Sequence, residues 1–490
     1  MTTSSLPDPS SRVRPVPEVP SAAGLRRLLP EMERAIGART CLVGGFVRDL
    51  LMGRQDQSDV DVVVERGRAE TAAEWLRQRW DRRARVVAFE RFGTAQVAFL
   101  LPGGERFTVE FVRARSEAYV PESRKPTVRA GTLAEDARRR DFTFNALLLD
   151  GEGRIGDPTG LGLDDLRQGV LRTPLPPGET FSEDPLRMLR AARFVAQLEF
   201  RLAAGLEEAM AEMAVRLGIV SPERVRDELV KLLVAPRPDL GLSILLRTGL
   251  LSQVSPELAA MAGVDQSGYH LGDVFEHTCL ALRVAVPDRT VRLAVLFHDV
   301  GKPVTVQAAP EGPTFHGHPQ AGAELAEAVM RRLRFSGAEI EAVGRLVLLH
   351  MRPIQYSSEW ADSAVRRLWH AAGELLPELL ALARADTQGS SFPGLEQLVE
   401  LELRLAAVAQ EHPGGMRPPL GGEQLKRAYS LPAGPWVGRA QKVLLEAVME
   451  GELSGGEDPG AGAAALQLLE LRRPDWQPRS GEPGWTAPPS

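Results

Sequence analysis

Two aspartates, Asp59 and Asp61, open a run in which valine dominates, Asp-Val-Asp-Val-Val-Val. β-Branched residues of this kind predict a β-strand, and residues i and i+2 of a strand point to the same face. Carboxylate oxygens are the ligands that hard cations such as Mg²⁺ prefer, and a metal pair can activate an attacking hydroxyl while neutralising a leaving pyrophosphate. The spacing therefore predicts a Mg²⁺ site with Asp59 and Asp61 as catalytic residues, suited to nucleotidyl transfer.

A glycine pair, Gly44 and Gly45, stands upstream of these aspartates. Glycine lets backbone amides approach a polyphosphate closely. An isolated Asp-x-Asp pair is usually a solvated turn or a cap, but such a turn requires neither the glycines nor the apolar run after Asp61. The combination favours a site that binds both phosphate and metal.

A second motif, Glu183-Asp184-Pro185-Leu186-Arg187, fits an ordinary helix start with an acidic cap. Asp184 and Arg187 are also three residues apart, so one helix face offers an acceptor beside a donor. Cytosine and adenine present the complementary donor and acceptor, whereas uracil and guanine present the reverse order. Each mismatch would leave buried polar groups unpaired at about 1–3 kcal/mol apiece. The pair therefore predicts selection of C and A.

Histidines concentrate further along the chain, where six of the eight lie between His270 and His350. The sequence His298-Asp299 follows an apolar run, which is unusual for a histidine that merely fills a core. Imidazole and carboxylate ligands suit Mn, Ni, Fe or Zn as well as Mg. These residues predict a second metal site, although an inactive helical bundle remains the alternative. The group consists of His277, His298, Asp299 and Asp386, with His316, His318 and His350 between Asp299 and Asp386.

Short strands and helices must position the aspartates and the glycine pair, whereas long helices must position the histidine-rich group. A helix is expected over Ala69–Trp80, and strands over Val86–Phe89, Thr94–Leu100 and Phe107–Val112, the last two joined by a glycine turn. After Phe181 the strand signals cease and amphipathic helical segments follow. The pattern predicts an α+β region followed by an all-α region.

Composition limits the class of protein. The 490 residues carry a net charge of −6 and only two cysteines, which argues against a uniformly basic nucleic-acid binder and against a disulfide framework. Local arginine clusters still permit RNA binding. No apolar stretch is long enough to cross a membrane and the N-terminus has no apolar signal core, so we expect a cytoplasmic protein with no membrane partner.

The run Gly-Gly-Phe-Val-Arg-Asp-Leu-Leu-Met-Gly at 44–53, followed by Asp-x-Asp, resembles the active site of the polymerase β superfamily. Within it the chain resembles the class II tRNA nucleotidyltransferases (CCA-adding enzymes) and bacterial poly(A) polymerases, and the histidine-rich part resembles the HD phosphohydrolases. This resemblance implies a nucleotidyltransferase head with a small polymerase β-like sheet, followed by all-α neck, body and HD domains. It also implies that His277, His298, Asp299 and Asp386 are the core metal ligands of the HD domain, and that His318 and His350 could complete a two-metal site.

The resemblance also implies individual roles. Arg140, Asp141 and Asn145, in Arg-Arg-Asp-Phe-Thr-Phe-Asn, would recognise ribose, and Asp184 with Arg187 would act as an amino-acid template for the incoming base. Glu110 is a candidate third carboxylate, the arginine-rich segment 113–131 lies where the family has a flexible loop, and Trp436 is expected in a small core. The implied nucleotide-binding residues are Gly44, Gly45, Arg48, Arg140, Asp141, Asn145, Asp184, Arg187, Arg190 and Arg193.

The implied organisation has six parts. They are a disordered tail at 1–22, the nucleotidyltransferase head at 23–172, a helical neck that binds RNA and nucleotide at 173–262, the HD domain at 263–392, a helical C-terminal region at 393–475 and a disordered tail at 476–490.

The function expected from these observations is template-independent addition of C and/or A to the 3′ end of tRNA, from CTP and ATP with Mg²⁺. The HD site, with a divalent metal (Mn, Ni, Fe, Zn or Mg), would add phosphohydrolase activity. Poly(A) addition to generic RNA and CC-only or A-only addition to tRNA remain alternatives. A different class, an RNA-binding HD hydrolase with a decayed transferase head, is disfavoured by the intact Asp59 and Asp61. The sequence specifies no oligomeric state.

Overall fold

The chain folds into two compact units, Met1–Val220 and Ser221–Ser490. The computed structural model describes residues 20–54, 59–89, 93–118, 127–266, 272–310, 312–391, 393–412, 415–455 and 459–483. Among these residues no helix combines the length and the apolar character needed to span a bilayer.

All eleven strands among the described residues belong to the first unit. They are β1 Thr40–Val43, β2 Asp59–Val64, β3 Arg85–Phe89, β4 Thr94–Leu100, β5 Arg106–Arg113, β6 Arg115–Ala118, β7 Thr127–Ala130, β8 Leu148–Leu149, β9 Ile155–Gly156, β10 Val170–Leu171 and β11 Arg201–Leu202. The helices of this unit are α1 Ala22–Ile36, α2 Gly45–Leu51, α3 Ala69–Trp80, α4 Leu133–Arg138, α5 Gly162–Gln168, α6 Pro177–Glu183, α7 Leu186–Leu198 and α8 Leu206–Met213, with 3₁₀ turns at Thr143–Asn145 and Ala214–Ile219.

A seven-stranded sheet in the order β3-β4-β5-β2-β1-β8-β9 forms the centre of the first unit. The pair β2 and β5 is parallel, and the other neighbours are antiparallel. Alternate residues of β4 are buried, and α1 and α3 contribute to the core on that face. The central strands are buried on both faces because a second cluster, which includes Val43 and Val63, covers the other side. The valine-rich run therefore forms a central strand.

The second unit is helical throughout the residues described. Its helices are α9 Pro222–Leu233, α10 Pro238–Arg247, α11 Leu250–Val254, α12 Pro256–Ala259, α13 Val274–Val284, α14 Arg289–Phe297, α15 Lys302–Thr305, α16 His318–Arg332, α17 Gly337–Leu349, α18 Met351–Ile354, α19 Asp362–Ala372, α20 Leu376–Gln388, α21 Leu395–Glu411, α22 Gly422–Tyr429, α23 Pro435–Glu450, α24 Pro459–Leu471 and α25 Arg473–Trp476, with a 3₁₀ turn at Gly373–Leu375.

Two groups of helices organise this unit. In the first, α14 packs against α17 and α20, α13 packs against α20, and α16 packs against α17. In the second, α22 to α25 enclose a core around Trp436 and Trp476. Trp436 is fully buried and donates from Nε1 to the carbonyl of Pro432, which confirms its expected place in a core.

The predicted fold class is confirmed, and the helix over Ala69–Trp80 and the strand over Thr94–Leu100 have the predicted bounds. The segment 113–131 differs from the expected loop, because β6 and β7 pair antiparallel within it; residues 119–126 lie outside the described ranges. The domain boundaries stay predictions. Residues 1–19 of the predicted N-terminal tail and residues 484–490 of the predicted C-terminal tail lie outside the described ranges.

Candidate functional site

Three carboxylates meet at the centre of the sheet. Asp59 and Asp61 lie on β2, and the parallel register places Glu110 of β5 opposite Asp61. Burial raises the pKa of Asp61, Asp59 adds to this rise, and Arg140 opposes it. Burial also raises the pKa of Glu110, followed by the charges of Asp61 and Asp59. A group of mutually repelling carboxylates is the oxygen donor set that divalent cations prefer, so these residues fit a metal site.

Gly44 makes room for this group. Its φ of +81° and ψ of −149° lie in a region that is essentially restricted to glycine. A Cβ at this position would stand 2.7 Å from Oδ2 of Asp61. The next residue, Gly45, begins α2, so the predicted glycine pair connects β1 to a helix start beside the carboxylates.

A buried polar network lies beyond the glycines. Arg48 donates from Nη1 to Oδ1 of Asn145 at 3.0 Å, and Asn145 donates from Nδ2 to Oδ1 of Asp141 at 3.0 Å. Asp141 accepts two further bonds from Arg190, at 2.8 Å from Nε and 2.5 Å from Nη2. Although burial opposes it, the charge of Arg190 and these hydrogen bonds lower the pKa of Asp141 to about 2. The network joins α2, the turn before β8 and α7.

Phe194 of α7 lies at the centre of three of the predicted nucleotide-binding arginines. The Cζ atoms of Arg48, Arg190 and Arg193 stand 5.1, 5.6 and 4.0 Å from the centroid of its ring. Guanidinium groups within about 6 Å of an aromatic face are attracted by its quadrupole. The ring is buried and therefore provides a fixed surface against which the arginines pack.

Asp184 and Arg187 occupy the junction of α6 and α7. Asp184 accepts from the backbone amide of Leu186, as the predicted cap would. Arg187 donates to Oε2 of Glu183 at 2.9 Å and to the carbonyls of Thr180 and Arg139. The guanidinium group that was predicted to read a base is thus held in a single orientation by its own chain.

Arg140 and Arg193 complete the predicted set in this unit. Arg140 pairs with Asp136 at 3.1 Å, and its charge lowers the pKa of Asp61 more than any other cation does. Arg193 donates to Gln197 at 3.0 Å along α7. All the predicted transferase residues therefore lie on elements of the first unit.

The second unit gathers the histidines. The Nδ1 atoms of His298, His318 and His350 each bond to a backbone carbonyl three residues earlier, at 2.6–2.8 Å. His277 Nδ1 lies 3.3 Å from the carbonyl of Gly389. A backbone carbonyl bound to Nδ1 fixes the ring so that Nε2 carries the free lone pair, which is the usual arrangement of a metal-binding histidine. The four rings therefore fit a metal site.

These ligands form two groups joined by Asp299. Asp386 lies 2.9 Å from Nε2 of His277, and His298 Nε2 lies 3.2 Å from Oδ2 of Asp299. The other oxygen of Asp299, Oδ1, faces His318 at 3.6 Å and His350 at 3.9 Å. Each group could hold one ion: His277, His298 and Asp386 in the first, and Asp299, His318 and His350 in the second.

The two groups differ in charge. Burial alone would lower the pKa of His298, but Asp299 and Asp386 raise it to about 9. Burial lowers the pKa of His350 to about 4, with the charge of His298 acting in the same direction, and it also lowers the pKa of His318. Without a metal ion, His298 therefore carries a proton, and a metal ion bound by His277, His298 and Asp386 would replace this proton.

A cavity of about 740 Å³ opens onto this cluster. Asp299 and Asp386 reach it from the metal-binding groups, and Lys302, Phe315 and Arg352 line its other sides. The cavity is large enough for a small phosphoester and places a basic rim beside the candidate metal ligands.

Three family models match the chain. They describe a poly A polymerase head domain (residues 40–172), a probable RNA and SrmB-binding site of polymerase A (199–261) and an HD domain (269–387).

Curated relatives match across these regions. An A-adding tRNA nucleotidyltransferase of Deinococcus radiodurans is 38% identical over 346 residues, which is 67% of this chain and 78% of that protein. A CC-adding tRNA nucleotidyltransferase of Thermus thermophilus is 36% identical over 86% of this chain and 92% of its own length. The chain belongs to the tRNA nucleotidyltransferase family.

Solved tRNA nucleotidyltransferases share the fold. A Bacillus stearothermophilus CCA-adding enzyme in complex with CTP matches with a TM-score of 0.64 at 24% identity, over 93% of this chain and all of that one. Nucleotidyltransferases of this family that carry an HD domain generally use divalent metals. The protein is therefore a nucleotidyltransferase, and the relatives carry different names for the nucleotides that they add.

Several residues of this tRNA nucleotidyltransferase were not identified from sequence as parts of the sites. Lys302 and Gln266 contact each other beside Asp299, and Phe194 supports the arginines. Gly-Lys directly after His-Asp-Val offered a local signal for Lys302. Phe194 and Gln266 had none, because only the tertiary structure brings them to their partners.

We expect Gly44→Ala to reduce nucleotide incorporation by about 100-fold, because its Cβ would displace the Asp61 carboxylate. Gly37→Ala is the control: Gly37 also has positive φ, +65°, yet a Cβ there meets nothing within 4 Å. Incorporation of labelled nucleotide into RNA measures both. Full activity of Gly44→Ala would contradict this account.

We expect Asp141→Asn to destabilise the first unit by about 2 kcal/mol at pH 7. A carboxyl whose pKa is lowered on folding stabilises the protein above its unfolded pKa, near 4, and this stabilisation disappears as pH falls through the folded pKa of about 2. The difference from the wild type should thus shrink between pH 5 and pH 2.

Urea titration with hydrogen exchange of residues 142–149 measures this difference at pH 7 and pH 3. Asp164→Asn, which breaks an exposed pair with Arg167, should change stability by less than about 0.5 kcal/mol. An equal loss for Asp141→Asn at both pH values would argue against the ionised pair.

We expect Mn²⁺ binding to the metal-free second unit to release about one proton at pH 7, because His298 is protonated below its pKa of about 9. Apparent affinity should rise about tenfold per pH unit between pH 7 and 9. Titration calorimetry of the full chain in two buffers of different ionisation enthalpy detects the proton. Equal heats in the two buffers would show that no proton is displaced.

Proposed function

We propose that the protein adds C and/or A to the 3′ end of tRNA, using CTP and ATP with Mg²⁺. The observation that carries the proposal is the group Asp59, Asp61 and Glu110 with Gly44 against it. Curated relatives named as A-adding and CC-adding tRNA nucleotidyltransferases support tRNA as the substrate. They favour it over poly(A) addition to generic RNA.

The three carboxylates would hold Mg²⁺, which would lower the pKa of the attacking 3′-hydroxyl and neutralise the leaving pyrophosphate. Gly44 leaves the space in which Asp61 keeps its position. Arg140, beside Asp61, would contribute positive charge next to the triphosphate. The backbone of Gly44 and Gly45 at the start of α2 would approach the phosphates closely.

Base selection would rest on Asp184 and Arg187. Arg187 is fixed by Glu183 and two carbonyls, so it would present a constant set of donors to the incoming base. A fixed donor disfavours a base that presents a donor at the same place, because neither donor can reorient and both are left without an acceptor. Protein side chains would thereby replace a nucleic-acid template.

Asp141 would support ribose recognition indirectly, by fixing the positions of neighbouring side chains. Both of its oxygens already accept hydrogen bonds, from Phe142 and Asn145 at Oδ1 and from Arg190 at Oδ2. We therefore assign to Asp141 the task of orienting Arg190 and Asn145, which would face the nucleotide with Arg48 and Arg193.

A phosphohydrolase activity is a second candidate function, and the convergence of four histidine Nε2 atoms on Asp299 and Asp386 favours it. Mn, Ni, Fe, Zn or Mg would suit this donor set. When bound, the metal would lower the pKa of a water molecule for attack on a phosphoester. The carbonyl bonds to Nδ1 would keep each ring oriented, and Asp299 would serve both groups.

We expect Arg187→Ala to raise UTP incorporation relative to CTP by about tenfold to hundredfold, because loss of its donors removes the penalty on the wrong base. Purified protein is incubated with tRNA lacking CCA, Mg²⁺ and each labelled NTP. Arg167→Ala, at an exposed pair in the same unit, is the control. Labelling of the wild type by UTP and GTP as readily as by CTP or ATP would refute the template.

We expect Asp61→Ala to lower incorporation by about 100-fold or more while phosphoester hydrolysis persists, and Asp299→Ala to do the converse. The reason is that each aspartate belongs to a different compact unit. Both reactions are measured on one preparation of each variant, with circular dichroism as the folding control. Loss of both activities in a folded variant would show that the sites depend on each other.

A further inference from the structure

Lys302 carries a buried ammonium group beside the HD carboxylates. The residue is 5% exposed, and its Nζ lies 2.7 Å from Oδ2 of Asp299. The ring centroid of Phe315 lies 5.4 Å from the same nitrogen. A buried charge is costly unless it is paired and hydrogen-bonded, so the groups around this ammonium determine where it can lie.

Gln266 is the second hydrogen-bond partner of this ammonium. Its Oε1 lies 2.6 Å from Nζ of Lys302, and because an ammonium only donates, the atom at this distance must be the amide oxygen. Gln266 itself is 5% exposed and precedes α13, outside the His-Asp motif. Its Nε2 has no hydrogen-bond partner in the described part of the chain.

An ammonium group has three donors, and Asp299 and Gln266 take two of them. Lys302 lines the 740 Å³ cavity together with Asp299 and Phe315. Asp299 and Gln266 are the hydrogen-bonding partners of this nitrogen within the described residues, which leaves its third donor for a ligand in the cavity. A phosphoryl oxygen is the acceptor that suits it, because a charge-assisted bond from a partly desolvated ammonium is stronger than a neutral one.

We propose that Gln266 is a positioning residue of the HD site, which holds the Lys302 ammonium against Asp299 so that its third donor binds a phosphoryl oxygen of the substrate. The proposal rests on the phosphohydrolase function proposed for this site. In this role Gln266 would act through Lys302, whose ammonium group donates to its amide oxygen.

A purely structural role for Gln266 leads to a different expectation. If its amide only fills space before α13, its replacement lowers stability and leaves ligand affinity unchanged once the protein is folded and loaded with metal. If it positions Lys302, the change appears in the affinity for phosphate and depends on the presence of Lys302.

The test is a double-mutant cycle on the full chain loaded with Mn²⁺, with inorganic phosphate as the probe. Gln266→Met keeps the length of the side chain and removes the strong acceptor, and Lys302→Met removes the donor. Gln307→Met is the control, because Gln307 is exposed and is absent from the cavity lining. Calorimetry gives the phosphate affinity, elemental analysis gives the Mn²⁺ content, and hydrolysis of p-nitrophenyl phosphate gives kcat and KM.

We expect Gln266→Met to weaken phosphate binding by about tenfold at unchanged Mn²⁺ content and to raise KM more than it lowers kcat. In the Lys302→Met background the same change should have no further effect. Wild-type affinity in Gln266→Met, an undiminished effect in the Lys302→Met background, or no phosphate binding by the wild type would each overturn the positioning role. Phosphate binding that depends on Gln266, in a protein that hydrolyses no phosphoester, would support this role and refute the hydrolase function.

Discussion

Repulsion among three carboxylates on neighbouring strands is the constraint on which the transferase unit depends. Asp59 and Asp61 share a face of β2, and the parallel register with β5 adds Glu110. Burial strengthens the repulsion and raises the pKa values of Asp61 and Glu110. The apolar packing of β2 offsets this electrostatic repulsion. A central strand that is buried on both faces provides more of this packing than a peripheral strand could. The site is thus a group of mutually repelling charges supported by the apolar packing of the sheet.

The two sites solve the same problem of gathering metal ligands in different ways. The transferase site uses carboxylates from parallel strands, and its geometry follows from register alone. The second site uses imidazoles at or near the ends of helices, and backbone carbonyls orient all four rings. Carboxylates make up the first donor set and imidazoles are the majority of the second, so the two sites favour hard and softer cations respectively.

Much of this arrangement could be predicted from the sequence because its signals are local. The alternation of aspartate and valine, the glycine pair and the His-Asp motif each act within a few residues. The position of Glu110 and the pairs Asp141–Arg190 and Gln266–Lys302 could not be derived in this way, since they depend on register and on helix packing between distant segments. Arg187 shows the same limit: its spacing from Asp184 suggested a reading face, but its bond to the carbonyl of Arg139, 48 residues away, is purely tertiary.

The span of chain between His277 and Asp386 has a consequence for folding. These two side chains are in contact although their positions in the sequence differ by 109. An ion bound by both of them would tie distant segments together in the folded protein, and because the unfolded chain lacks the assembled site, binding would stabilise the folded state. The cluster would then act as a reversible cross-link, whose contribution to folding is independent of any reaction carried out in the cavity. If hydrolysis were lost during evolution, the bound ion would still stabilise the fold. Selection would then still retain the metal ligands.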